Sequence, residues 1–124
     1  MRLVLDTDSR VNAIRSYRSG EIVISNRRCI APCIVSPAQL IEAWNVGAPE
    51  RLTLEQLQPL LQLQPHPQIV LVGTIDGARR APLDLRRALE TRGIAIEYMD
   101  LGAACRTYNV LAQEGRAVAA ALFP

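Results

Sequence analysis

Apolar positions along the 124-residue chain follow one rhythm in the first half and another in the second. Residues 11–17 and 21–26 are short runs with apolar side chains in part alternation. Arg18-Ser19-Gly20 joins them, which predicts a β-hairpin with glycine where a positive φ is wanted. Arg27-Arg28 then turns the chain into a third strand over residues 29–35, where Pro32 is best tolerated at an edge or a bulge. Ser36-Pro37 ends that strand. Residues 38–44 suit either a helical turn or a continuing strand, with Trp44 as a core or lid residue.

From residue 53 the period becomes helical. Thr53 followed by Gln56 forms a capping-box pattern, and Leu54, Leu57, Leu60 and Leu61 recur at helical spacing. Gln64-Pro65-His66-Pro67 stops this helix. Ile69-Val70-Leu71-Val72, ended by Gly73, is apolar without alternation, as in a strand buried on both faces. Pro82 suits the first turn of a second helix carrying Leu83, Leu85 and Leu89 and ending before Gly93. Residues 94–99 predict another strand, Asp100 caps a third helix running to about Glu114, and residues 116–123 give a last, alanine-rich strand. A hairpin and strand, a helix, then β-α-β-α-β predicts an α/β fold around a largely parallel sheet. The hairpin region adds to that sheet's edge or packs as a second, small sheet. No linker or repeat interrupts the pattern, so residues 1–124 are expected to form a single domain.

Composition narrows the function classes. A hydrophobic fraction of 49% and a charged fraction of 21% are those of a globular chain. No run approaches the length of a membrane helix, and the charged N-terminus, MRLVLDTDSR, lacks the apolar core of a signal peptide. The expectation is a cytoplasmic protein that is not integral to a membrane. All 14 basic residues are arginine, which removes Schiff-base and phosphate-loop lysine chemistry. A net charge of +2 and five aromatic residues (one Trp, three Tyr, one Phe) argue against a nucleic-acid partner. Three cysteines without a secretory signal make a disulfide framework improbable. Cys29 and Cys33 read as small buried side chains on one side of a strand. Zinc would need both of them plus the remote Cys105 and His66, so neither metal nor cofactor is expected.

In a sheet with crossover helices, ligands collect outside the carboxyl ends of the strands. Two loops lie there: Gly73-Thr74-Ile75-Asp76-Gly77, and Asp100-Leu101-Gly102 at the start of the third helix. If their strands are neighbours, Thr74 faces Asp100. Each also has a plain structural reading, Gly73 as turn chemistry and Asp100 as an N-cap. On the helix, Ala104, Tyr108 and Leu111 follow i, i+4, i+7 and form the packed stripe. Arg106, Asn109 and Gln113 share a polar face flanked by Cys105, a candidate contact surface or pocket. Thr107 lies nearer the buried side. Cys105 sits beside a guanidinium, but beyond the first turn and without a histidine base, so no catalytic residue is assigned. Arg106 meets either an internal carboxylate, Glu97 or Asp100, or an external anion or protein.

The stretch from Ile69 onward resembles one known family. Gly73-Thr74 after Ile-Val-Leu-Val, Arg92-Gly93-Ile94, Glu97-Tyr98-Met99-Asp100, the run Ala103-Ala104-Cys105-Arg106-Thr107-Tyr108-Asn109-Val110-Leu111, and Glu114-Gly115-Arg116 carry the likeness. The family is a set of uncharacterised bacterial and archaeal proteins related to mitochondrial NADH dehydrogenase (complex I) assembly factor 3. Leu101 departs from it, standing where a threonine is common, which weakens an anion site at the first helical turn. The resemblance implies a three-layer fold around a mixed sheet with extra N-terminal β structure. It implies a bacterial accessory protein without established enzymatic activity, acting through an unidentified protein partner. The residues leave monomer or homodimer open, with an exposed edge of the N-terminal hairpin as the place where a dimer could pair. The alternative from the residues is a small-molecule or anion binder, or a hydrolase, using a pocket near Thr74, Asp100, Cys105 and Arg106.

Overall fold

Pro32 divides the β-rich first half between two sheets. The computed structural model describes residues 11–76 and 80–124. The charged N-terminal stretch and Gly77, at the end of the first candidate loop, lie outside the described residues. Strands β1 (Ile14–Arg18), β2 (Glu21–Ile24) and β3 (Arg27–Cys29) form a three-stranded antiparallel sheet. Gly20 turns the hairpin at φ 87°, the left-handed region that glycine enters without strain. The single strand expected over residues 29–35 is instead two. Cys29 pairs with Ile22 in the small sheet, whereas β4 (Cys33–Val35) pairs with the C-terminal strand of a second sheet. Pro32 has no N–H for a ladder, so the chain leaves one sheet before it and joins the other after it.

The second sheet holds β4, β5 (Leu40–Ile41), β6 (Ile69–Thr74), β7 (Ala95–Asp100) and β8 (Val118–Phe123), in the order β5-β4-β8-β6-β7. Residues 38–44 thus contain a two-residue strand and no helical turn. β6 is parallel to both β7 and β8, and β4 runs antiparallel to β8. The sheet is mixed with a parallel centre, and the hairpin region packs as a separate small sheet.

Helices α2 (Leu83–Glu90) and α3 (Leu101–Gln113) make the two crossovers. The expected capping box forms: Gln56 N–H donates to Thr53 Oγ1 at 3.2 Å, and Thr53 N–H donates to Gln56 Oε1 at 3.1 Å. Regular helix begins only at α1 (Gln58–Leu61). Pro59 lacks the N–H that would bond back to Glu55, so the preceding residues form turns.

Alternation along β6 and β8 builds two cores. Val70, Val72, Ala119, Ala121 and Phe123 meet Leu57, Leu60, Leu85 and Leu89 on the α1–α2 side. Leu71, Ala120 and Leu122 meet Ala104, Cys105 and Tyr108 of α3, with Ile14, Ile22 and Ile24 of the small sheet. Each fully buried leucine stabilises the fold by roughly 2 kcal/mol. Trp44 belongs to the first core, its ring 5.5 Å from that of Phe123 and its N–H donated to the Gln56 carbonyl at 2.9 Å.

Candidate functional site

The parallel register sets Thr74 opposite Asp100, the juxtaposition expected of neighbouring strands. Gly73 and Thr74 are not loop residues, however. They end β6, and Thr74 is only 3% exposed. Gly73 allows a close helix approach: a Cβ there would lie 2.7 Å from the Ala104 Cβ and 3.1 Å from Leu122. Asp100 caps α3 by accepting the Ala103 N–H at 2.8 Å, an interaction that stabilises by about 1 kcal/mol.

α3 divides differently from its sequence spacing. Ala104 and Tyr108 are buried as expected, and Leu111 is half-buried. The polar face separates: Arg106 and Gln113 are exposed, while Asn109 is 4% exposed. The Asn109 carboxamide brackets one residue of β1. Its Oδ1 accepts the Ile14 N–H and its Nδ2 donates to the Ile14 carbonyl, both at 2.9 Å. From the preceding residue, the Tyr108 hydroxyl donates to the Asn12 carbonyl at 2.9 Å. Arg106 Nη1 donates to the Tyr17 hydroxyl at 2.7 Å, so its hydrogen bond runs to the small sheet rather than to Glu97 or Asp100. Tyr17 also lies over Gly102, where a Cβ would come within 2.6 Å of its hydroxyl oxygen. Arg106, Tyr108 and Asn109 together fasten the N-terminal sheet to α3. Asn12 and Tyr17 escaped sequence reasoning because their partners lie about ninety residues away, beyond any local period.

The thiols are sealed. Cys105 is fully buried, and burial pushes its pKa up to about 12, only partly countered by Arg106. A thiol so held is not a nucleophile at neutral pH. Burial also raises Cys29 and Cys33, which hydrogen-bond to each other across the sheet change. They are buried as expected but belong to two strands, not one. Among the described residues no three His, Cys, Asp or Glu side chains group as a metal site. His66 is exposed in the loop before β6, at the far end of that strand from Thr74.

What faces solvent on α3 is Arg106, Val110 and Gln113, an i, i+4, i+7 stripe with Val110 54% exposed. Among the described residues, surface cavities lie elsewhere, two of them beside α2. One, of about 630 Å³, follows β7 and the outer side of α2 between Arg80, Arg86, Glu90 and Tyr98. The other, of about 520 Å³, lies between α2 and residues 50–54. Neither is lined by the candidate residues Gly73, Thr74, Asp100, Cys105, Arg106, Asn109 or Gln113.

A five-stranded mixed sheet with a small antiparallel sheet fastened over one crossover helix is the architecture of the Mth938-like domains. A Bordetella pertussis protein described by that term superimposes with a TM-score of 0.80 at 29% identity, covering 100% of this chain and 92% of that one. The crystal structure of a Bordetella parapertussis protein gives 0.82 at 32% identity, covering 92% and 96%. The chain belongs to the family described as protein of unknown function (DUF498/DUF598), matched over residues 14–123. It is also 40% identical over 111 residues to NADH dehydrogenase (ubiquinone) 1 alpha subcomplex assembly factor 3 of Bos taurus. That match takes in 90% of this chain and 60% of the relative, so the chain spans about three-fifths of the assembly factor's length. No helix among the described residues is long and apolar enough to cross a membrane.

Proposed function

We propose that this chain is a non-catalytic accessory protein of the assembly-factor type, working in the cytoplasm by binding another protein. The observation that carries the reading is the relationship to assembly factor 3 across nine-tenths of the chain. The exposed α3 stripe offers a contact suited to it. Val110 presents apolar surface between Arg106 and Gln113, and arginine beside exposed apolar groups is a composition favoured at protein interfaces. The buried, proton-holding Cys105 argues against the hydrolase alternative.

The test is affinity capture of the tagged chain from its native cells under gentle crosslinking. A stable co-purifying protein is expected, with recovery lowered several-fold by Arg106→Ala, a substitution at the interface type where truncation costs most. Recovery of the chain alone, together with a metabolite that raises the melting temperature of the wild type but not of Arg106→Ala, would establish the small-molecule reading instead.

A further inference from the structure

The cavity beside β7 is lined by two arginines, next to a strand edge that has no partner strand among the described residues. Among the described residues β7 pairs on one side only, with β6. The Ala95 N–H donates inward, to the Gln68 carbonyl at 3.0 Å. A strand residue turns its N–H and C=O to the same side, and the side alternates along the strand. The main-chain groups of Ile96 and Tyr98 therefore face outward, and both residues line the cavity of about 630 Å³. Their side chains are committed to the core: Ile96 is 6% and Tyr98 8% exposed, and the Tyr98 hydroxyl donates to the Pro49 carbonyl at 2.6 Å. The backbone is what this edge offers. The opposite edge is β5, two residues long, and short edge strands are a usual protection against pairing. β7 has six residues and no such protection from length.

Arg86 supplies the second observation. Its Nε is buried and has no hydrogen-bond partner, and Arg80 lines the same cavity. Nε itself is sealed from solvent, so a ligand in the cavity meets the other guanidinium nitrogens of this half-buried side chain, and a carboxylate is the acceptor they match best. Glu90 and Glu97 also line the cavity, so charge of both signs borders the edge. We infer that β7 takes an extended segment of a partner protein as an added strand, with Arg86 receiving a carboxylate from that segment. Strand addition gains affinity from main-chain bonds and selectivity from flanking side chains. The inference rests on the protein-binding reading above but assigns it a different surface from the α3 stripe.

The test is an amide NMR titration of the ¹⁵N-labelled full chain with three acetylated, amidated hexapeptides. One alternates valine and threonine around a glutamate, the second carries lysine in its place, and the third has a central proline. The glutamate peptide is expected to shift the Ile96 and Tyr98 amides and the Arg86 Nε–H, and the proline peptide to leave them unmoved. Arg86→Gln, at a half-buried position, should weaken the glutamate peptide about tenfold, the usual worth of a charge-assisted hydrogen bond, and abolish its advantage over the lysine peptide. Ile96 and Tyr98 amides unmoved by every peptide at millimolar concentration would overturn the proposal. So would the same shifts arising from protein concentration alone, which would make the occupant a second copy. A captured partner that perturbs α3 and spares Ile96 and Tyr98 would sink this inference and leave the protein-binding reading standing.

Discussion

The two faces of the five-stranded sheet are closed by different chemistry. On one, α1 and α2 lay leucines over Val70, Val72 and Ala121, a packing of ordinary apolar side chains. On the other, α3 approaches through Gly73 and Ala104 and is fastened to the small sheet by Asn109, Tyr108 and Arg106. The residue types that look reactive in the sequence crowd the second face, and there they hold structure together. The first face looks bland, yet its rim carries Arg86 with an unmet donor. Reactive residue types are poor guides to function where a long-range partner consumes them.

The most severe way to break the α3 face is Asn109→Ala. It removes both bonds to Ile14 and leaves a buried N–H and carbonyl without partners. A loss of about 3 kcal/mol is expected, read by urea denaturation, with the amides of β1 and β2 losing hydrogen-exchange protection before those of β6. Equal loss of protection in both sheets would mean that Asn109 supports the whole core and not the docking of the small sheet.

Gly73→Ala is the next largest. The added Cβ would meet the Ala104 Cβ at 2.7 Å and Leu122 at 3.1 Å, with the α3 backbone at Leu101 3.4 Å away. Neither the Ala104 Cβ nor the helix backbone can swing aside, so α3 must lift off β6. A cost of about 2 kcal/mol is expected, checked by the same denaturation. A neutral result would show that α3 rides loosely on the sheet.

Legibility follows the same division. The crossover half was readable because each of its elements obeys a local rule. Val70 to Val72 is a doubly buried strand, Asp100 is a cap, and Leu85 and Leu89 lie on one side of a helix. The single strand expected over residues 29–35 divides because its residues suit either sheet, and only the missing N–H of Pro32 marks the change. Spacing places Arg106, Asn109 and Gln113 together on one polar face of α3. It cannot report that Ile14, 95 residues away, takes Asn109 out of solvent. Gly73 suits turn chemistry by sequence for the same reason, since nothing local announces that Ala104 lies against it.

The smallest effect sharpens the comparison through pH. All three cysteines lie in the α3-side core. Burial raises the Cys105 pKa from 9.0 to about 12. A folded-state pKa above the unfolded one means that the folded protein holds the proton more tightly. The stabilisation is therefore full below pH 9 and is lost as pH rises from there toward 12. Between pH 9 and 10 the unfolded thiol ionises while the folded one does not, so Cys105 alone removes about 1 kcal/mol of stability over that unit. Cys105→Ala should accordingly be less stable than the wild type at pH 7, by a modest packing loss, with a gap that narrows by about 1 kcal/mol between pH 9 and 10. Tyr98, on the α2 side, is also raised to about 12 by burial, and its contribution is common to both proteins and cancels in the difference. A gap that stays constant from pH 7 to 10 would mean that the Cys105 thiol meets solvent in the folded protein, and would return it to consideration as a reactive group.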